Sequence, residues 1–152
     1  MLYSALLGRE DSFRSLVGLR EIVDMGIAKL VIAKGLTQEE TAELERLNDE
    51  LVARLMAEEY NVDYIAEADF DFHNAVAQAT DNPLAVALND FLMNVTRESR
   101  YRVIRKVHEE NDVEYLIKTH RLHLDALEKK PGVTIEEALE FSTIYWKDSY
   151  NW

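Results

Sequence analysis

The stretch Asp63-Tyr64-Ile65-Ala66-Glu67-Ala68-Asp69-Phe70-Asp71-Phe72-His73-Asn74-Ala75-Val76-Ala77-Gln78-Ala79-Thr80-Asp81-Asn82-Pro83 carries both a helix and the chain's clearest chemical signal. Asp63 follows a short polar break and is placed to cap a helix running to about Thr80. Pro83 suits the first turn of the next helix and disfavours helix at Asn82, so Asp81-Asn82-Pro83 is a firm boundary. Inside the helix, Asp69 and His73 are four residues apart and project from one face. Phe72, Ala75, Val76 and Ala79 make the neighbouring face apolar. An Asp/His pair at this spacing is often a surface hydrogen bond, but beside a buried face the carboxylate needs a partner or a cation.

The same helical spacing extends in both directions. Upstream, Phe13, Leu16, Leu19 or Arg20, Val23, Ile27, Leu30 and Val31 mark a helix starting near Asp11 or Ser12 and stopped at Gly35. Thr37 with Glu40 is a capping box opening a second helix, whose buried stripe is Leu44, Leu47, Leu51, Leu55 and Met56. Downstream, a long helix is predicted from Pro83 toward Val107. A polar turn at Glu109-Glu110-Asn111-Asp112 precedes a helix ending at Lys129-Lys130, where cations suit the C-terminus. Thr134 with Glu137 is a second capping box, opening a last helix with Ala138, Phe141, Ile144 and Tyr145. With 5 glycines and 2 prolines, a sheet has few places to form. The reading is an all-α, antiparallel bundle of about six helices in a single domain spanning 1–152.

Composition narrows the function. There is no cysteine, so a metal site must be built from His, Asp and Glu, and the cytoplasm is the natural compartment. No segment reaches the roughly 18 apolar residues of a membrane span, and Met1 to Arg9 lacks a signal-peptide pattern. A formal net charge of -12 opposes binding to a phosphate backbone. No phosphate loop, nucleophile elbow or His-Glu-x-x-His motif is present, so the chain is not expected to be an enzyme.

A second histidine cluster lies in Thr119-His120-Arg121-Leu122-His123. Either imidazole can face a core built from Leu116, Ile117, Leu124 and Leu127, or one can simply be exposed. His123 stands about 300° around the helix from His120, so the two are neighbours. His108, among Lys106, Glu109 and Glu110, is expected at the surface. Of Arg97, Arg100, Arg102 and Arg105, most should be solvated, while one turned inward could bind a carboxylate bidentately.

These motifs resemble the FCD effector-binding domain that follows the winged helix in GntR-type bacterial regulators of the FadR subfamily. Leu19-Arg20-Glu21-Ile22-Val23-Asp24 is similar to the start of that domain. The resemblance is strongest at Asp69-x-x-Phe72-His73-x-x-Val76-Ala77-x-Ala79-Thr80-x-Asn82-Pro83 and continues at His120-Arg121-x-x-x-x-Ala126-Leu127. It implies a ligand-sensing and dimerisation domain that binds a small carboxylate in a central pocket. It also implies a divalent metal ion, zinc or nickel foremost, held by Asp69, His73 and His120. The effector would meet Arg20, Asp69, His73, His120, His123 and Tyr145. The family's further ligand, a histidine on the last helix, has no counterpart in Ala138 to Trp152, where Ser142, Tyr145 and Trp146 stand near its place. Only 18 residues precede Leu19, too few for a winged helix, so DNA would be reached only through a domain not in this chain. The alternatives are a metal-dependent, hydrolase-like enzyme on a helical bundle and a purely structural interaction domain.

Overall fold

The computed structural model describes residues 12–148. Within that range the chain forms helices and no strand: α1 (Ser12–Lys34), α2 (Gln38–Leu55), α3 (Val62–Gln78), α4 (Pro83–Val95), α5 (Arg97–Glu109), α6 (Val113–Leu127), α7 (Ile135–Ser142) and α8 (Ile144–Asp148). The first helix begins at Ser12, while Asp11 and the Met1 to Arg9 segment lie outside the described residues. The fold is an all-α bundle, with α3 packed on α2, α4 and α5, and α6 on α2 and α7.

The local signals behave as polar capping requires. Thr37 Oγ1 accepts from Glu40 N at 3.1 Å while the Glu40 carboxylate accepts from Thr37 N at 2.9 Å. Thr134 and Glu137 repeat the arrangement on α7. Gly35 follows α1 with φ 81°, the left-handed conformation that a helix C′ position needs. Asn82 Oδ1 accepts from Leu84 N and Ala85 N, starting α4 at Pro83.

Four details differ from the sequence expectation. The third helix is capped by Asn61, which accepts from Tyr64 N at 3.0 Å, so Asp63 falls inside its first turn. Met56 is 60% exposed, because α2 ends at Leu55 and the stripe ends with it. The long helix from Pro83 is divided at Thr96, whose hydroxyl donates to Leu92 O at 2.6 Å. Back-bonding of this kind bends helices. The last helix is divided in the same way, where Ser142 Oγ donates to Leu139 O and Thr143 Oγ1 to Glu140 O. The six helices expected thereby become eight helical segments among the described residues.

Two apolar clusters fill the bundle, and α1, α2, α3 and α6 each run from one into the other. Leu44 and Leu47 of α2, Phe72 and Val76 of α3, Leu124 and Leu127 of α6 and Leu139 of α7 belong to the first. Leu51 and Leu55, Ile65 and Ala68, Tyr115 and Leu116, and Trp146 belong to the second. Where α1, α2, α3 and α6 cross between clusters they place buried polar residues, Arg20, Asn48, Asp69 and Thr119 with His120, and Arg100 near the start of α5 and Ser142 at the end of α7 join the layer. The functional candidates thus form a polar layer across the middle of an apolar bundle.

Leu44 is 1% exposed in the first cluster. Leu44→Ala is expected to cost about 2–5 kcal/mol in urea unfolding through lost burial and an unfilled cavity. Thr37→Ala, which removes only a cap, should cost about 1 kcal/mol.

Candidate metal and effector site

Asp69 lies at the centre of the layer. Its Oδ1 is 2.7 Å from His120 Nε2 and 3.4 Å from His73 Nε2. Its Oδ2 accepts from Arg100 Nη1 at 3.2 Å. One donor atom each from Asp69, His73 and His120 falls within a mutual 4.8 Å, close enough to hold a metal ion. All three residues are buried. The i, i+4 spacing on α3 therefore does bring Asp69 and His73 together, and α6 brings His120 to them.

His120 is held in a telling way. Its Nδ1 lies 2.8 Å from the carbonyl oxygen of Leu116, which can only accept, so Nδ1 carries the proton. Its Nε2 then faces the Asp69 carboxylate, a second acceptor. Two acceptors on one imidazole require either a second proton or a cation at Nε2. A backbone carbonyl on Nδ1 that aims Nε2 at a carboxylate is the outer-shell arrangement typical of metal-ligating histidines.

Arg100 is the arginine turned inward. Its Nε donates to Thr96 Oγ1 at 3.0 Å, so the hydroxyl at the break between α4 and α5 also positions the guanidinium. Arg97, Arg102 and Arg105 remain exposed and lie over the rings of Phe70, Phe13 and Tyr101. Arg20 reaches across to the last helices, donating from Nη1 to Ser142 O at 3.0 Å and from Nη2 to Ser142 Oγ at 2.9 Å. Its Nε stands 3.1 Å from Asp24 Oδ2. Arg100 Nη2 and His123 Nε2 are buried without a hydrogen-bond partner.

Arg20, Asp69, His73, Arg100, Thr119, His120, His123, Ser142 and Trp146 line a void of about 40 Å³. That volume accommodates water or an ion, since roughly 10–15 Å³ on this measure suffices for one water. Tyr145 is not brought to the void: its hydroxyl donates to Glu110 Oε2 and Asp112 Oδ2, both at 2.8 Å. The break at Thr143 separates its register from that of Ser142. His108 is exposed and stacks on Tyr60 with ring centroids 3.7 Å apart. Sequence reasoning singled out Arg100 only as one of four arginines, and it missed Thr96, whose hydroxyl is the signal that could have found the inward turn.

Burial opposes charge throughout the layer. For Asp69 it is outweighed by His73, His120 and Arg100, which hold the carboxyl well below its ordinary range. For His73, burial lowers the pKa despite the Asp69 carboxylate. For His123, burial dominates and His73, His120 and Arg20 add to it, so the imidazole stays neutral well below the ordinary range, with Asp69 the opposing charge.

The FCD domain family matches residues 15–140, and the chain belongs to that family. It is similar to the HTH-type transcriptional regulator LutR of Bacillus subtilis (strain 168), with 28% identity over 141 residues covering 91% of this chain. The chain spans 62% of that relative's length. No solved structure matches. No helix among the described residues is long and apolar enough to cross a membrane.

The lowered histidines set a pH dependence for metal-stripped protein. The unfolded chain takes up protons below about pH 6.5 while buried His73 and His123 do not, so stability falls as pH drops below 6.5. Urea melts at pH 7.5 and 5.5 should show this loss, and His123→Leu should make it smaller. Equal loss in both proteins would remove His123 from the account.

Proposed function

We propose that this chain is the effector-sensing and dimerisation module of a cytoplasmic bacterial transcription regulator of GntR type. In this reading Asp69, His73 and His120 bind a divalent ion, zinc or nickel foremost. A small carboxylate completes the site, and its occupancy is passed to a DNA-reading domain outside this chain. The observation that carries the metal is His120, whose two nitrogens both face oxygen acceptors. Three protein ligands leave an ion coordinatively open for an effector oxygen. The ion supplies Lewis acidity and positive charge; the chain's own residues orient and neutralise.

Charge balance supports the anion. Among the buried groups, Arg20 and Arg100 are matched by Asp24 and Asp69. A divalent ion added to this balanced set leaves an excess of positive charge in a poorly solvated layer, which an anionic ligand offsets. Arg20 and the unpartnered Nη2 of Arg100 are the donors placed to pair it. The relative's name, a transcriptional regulator, agrees with sensing in place of turnover.

Elemental analysis of tag-free protein should find about one equivalent of a divalent ion, and Asp69→Ala and His73→Ala should lose it. Small carboxylates should raise Tm in the loaded protein and not after chelation, with about 2.7 kcal/mol of stabilisation at a hundredfold excess over Kd. No metal in either wild type or variants, with a carboxylate shift that survives chelation, would instead mean a metal-free pocket. A carboxylate consumed during incubation would replace the sensor with an enzyme.

Dimerisation is supported by an apolar surface on adjoining helices. Ile22 and Leu30 of α1 are 73% and 45% exposed, and Leu84 and Leu88 of α4 are 79% and 46% exposed. Leu84→Asp with Leu88→Asp is expected to convert a dimer to a monomer in size-exclusion chromatography with light scattering, without loss of helical signal.

A further inference from the structure

We propose that His123 supplies a fourth protein ligand to the divalent ion, from the same helix as His120 and one turn further on. The inference rests on the reading that Asp69, His73 and His120 hold an ion, and it concerns how that site is completed: an ion that expands to five ligands keeps a position for the effector oxygen. Three imidazoles surround the Phe72 ring edge-on, with centroids at 5.5 Å for His73, 5.3 Å for His120 and 5.9 Å for His123. His73 lies 5.6 Å from His120 and 5.8 Å from His123. Phe72 is fully buried, so it acts as a fixed template for all three.

His123 is only 4% exposed, and its Nε2 has no hydrogen-bond partner. A buried polar nitrogen without a partner bears its full desolvation penalty, which a metal bond would offset. Ligands at i and i+3 on one helix are a geometry that bundle metal sites already use. The neighbouring polar group from the last helices is not available: Ser142 Oγ is committed to Arg20 and to Leu139 O. His123 stands outside the compact three-donor cluster, so ligation requires its ring to move. The void that it lines, about 40 Å³, provides the room.

The full chain, stripped with chelator, would be titrated with zinc against a competing chelator and with cobalt by visible absorption. His123→Leu should stay folded, bind zinc more weakly by at least the ~10–100-fold that losing an outer-shell partner costs, and alter the cobalt bands. Wild type offers a second readout that needs no variant. Long-range 1H–15N spectra should show three of the 4 histidines shifting on zinc addition, with exposed His108 unmoved. If only His73 and His120 shift, and His123→Leu binds as wild type while Asp69→Ala does not, the three-ligand site stands and His123 is not a ligand. If wild type itself takes up neither ion, the underlying metal reading fails and His123 falls with it.

Discussion

A carboxylate buried in the middle of a helical bundle must be neutralised where it stands, and the rest of this structure is arranged around that requirement at Asp69. An unpaired buried charge costs more than most single contacts contribute, and removing one partner of a buried pair typically costs about 3–5 kcal/mol. Asp69 therefore fixes which residues the neighbouring helices present: Arg100 from α5 and His120 from α6, beside His73 on its own helix. The requirement also accounts for the break at Thr96. An unbroken helix from Pro83 would satisfy its backbone equally well, but the Thr96 hydroxyl both back-bonds to Leu92 O and holds Arg100 Nε. Local helix geometry gives way to the electrostatics of the layer.

The two apolar clusters do the opposite work. They are chemically interchangeable in content, aliphatic with a few aromatics, and neither specifies how far a helix should slide along its neighbour. The polar layer does, since a shift of one turn on α3 or α6 would separate Asp69 from His120 and leave the buried Nε2 of His120 without its carboxylate. Apolar burial supplies most of the stability and the layer supplies the register. Buried polar groups are best attested in this use, where they fix register at some expense of stability.

What could be read in the sequence follows the same division. The caps at Thr37/Glu40, Thr134/Glu137 and Asn82-Pro83 were legible because they depend on residues within four positions of each other. Asp69 with His73 was legible for the same reason, as an i, i+4 pair on a helix with an apolar face. The inward turn of Arg100 was not, because four arginines share that helix and only the burial of Thr96 beneath them distinguishes one. Tyr145 was misplaced because an intact last helix would carry it three residues past Ser142 on the same face. The hydroxyls of Ser142 and Thr143 break that helix, and Tyr145 turns instead to Glu110 and Asp112. Serine and threonine within a helix can point either outward or back at a carbonyl, and tertiary packing decides which.

Sensing further requires that a ligand favour one arrangement of the bundle over another. On the proposed reading the void of about 40 Å³ must take both an ion and the effector's carboxylate, so effector entry competes with the contacts that the lining groups already make. The group best placed to move is the Arg20 guanidinium, which ties α1 to the last helices through both the carbonyl and the hydroxyl of Ser142. Ser142 lines the void on one side and, on the other, an outer groove of about 340 Å³ bounded by Asp24, Glu140 and Thr143. A carboxylate that captured Arg20 would take it from Ser142 and remove one tie between α1 and α7, whose Val23, Ile27, Ala138 and Leu139 still share a core. Coupling between sites needs an element with two discrete arrangements, and on the proposed reading the acceptor held by Arg20 would be that element.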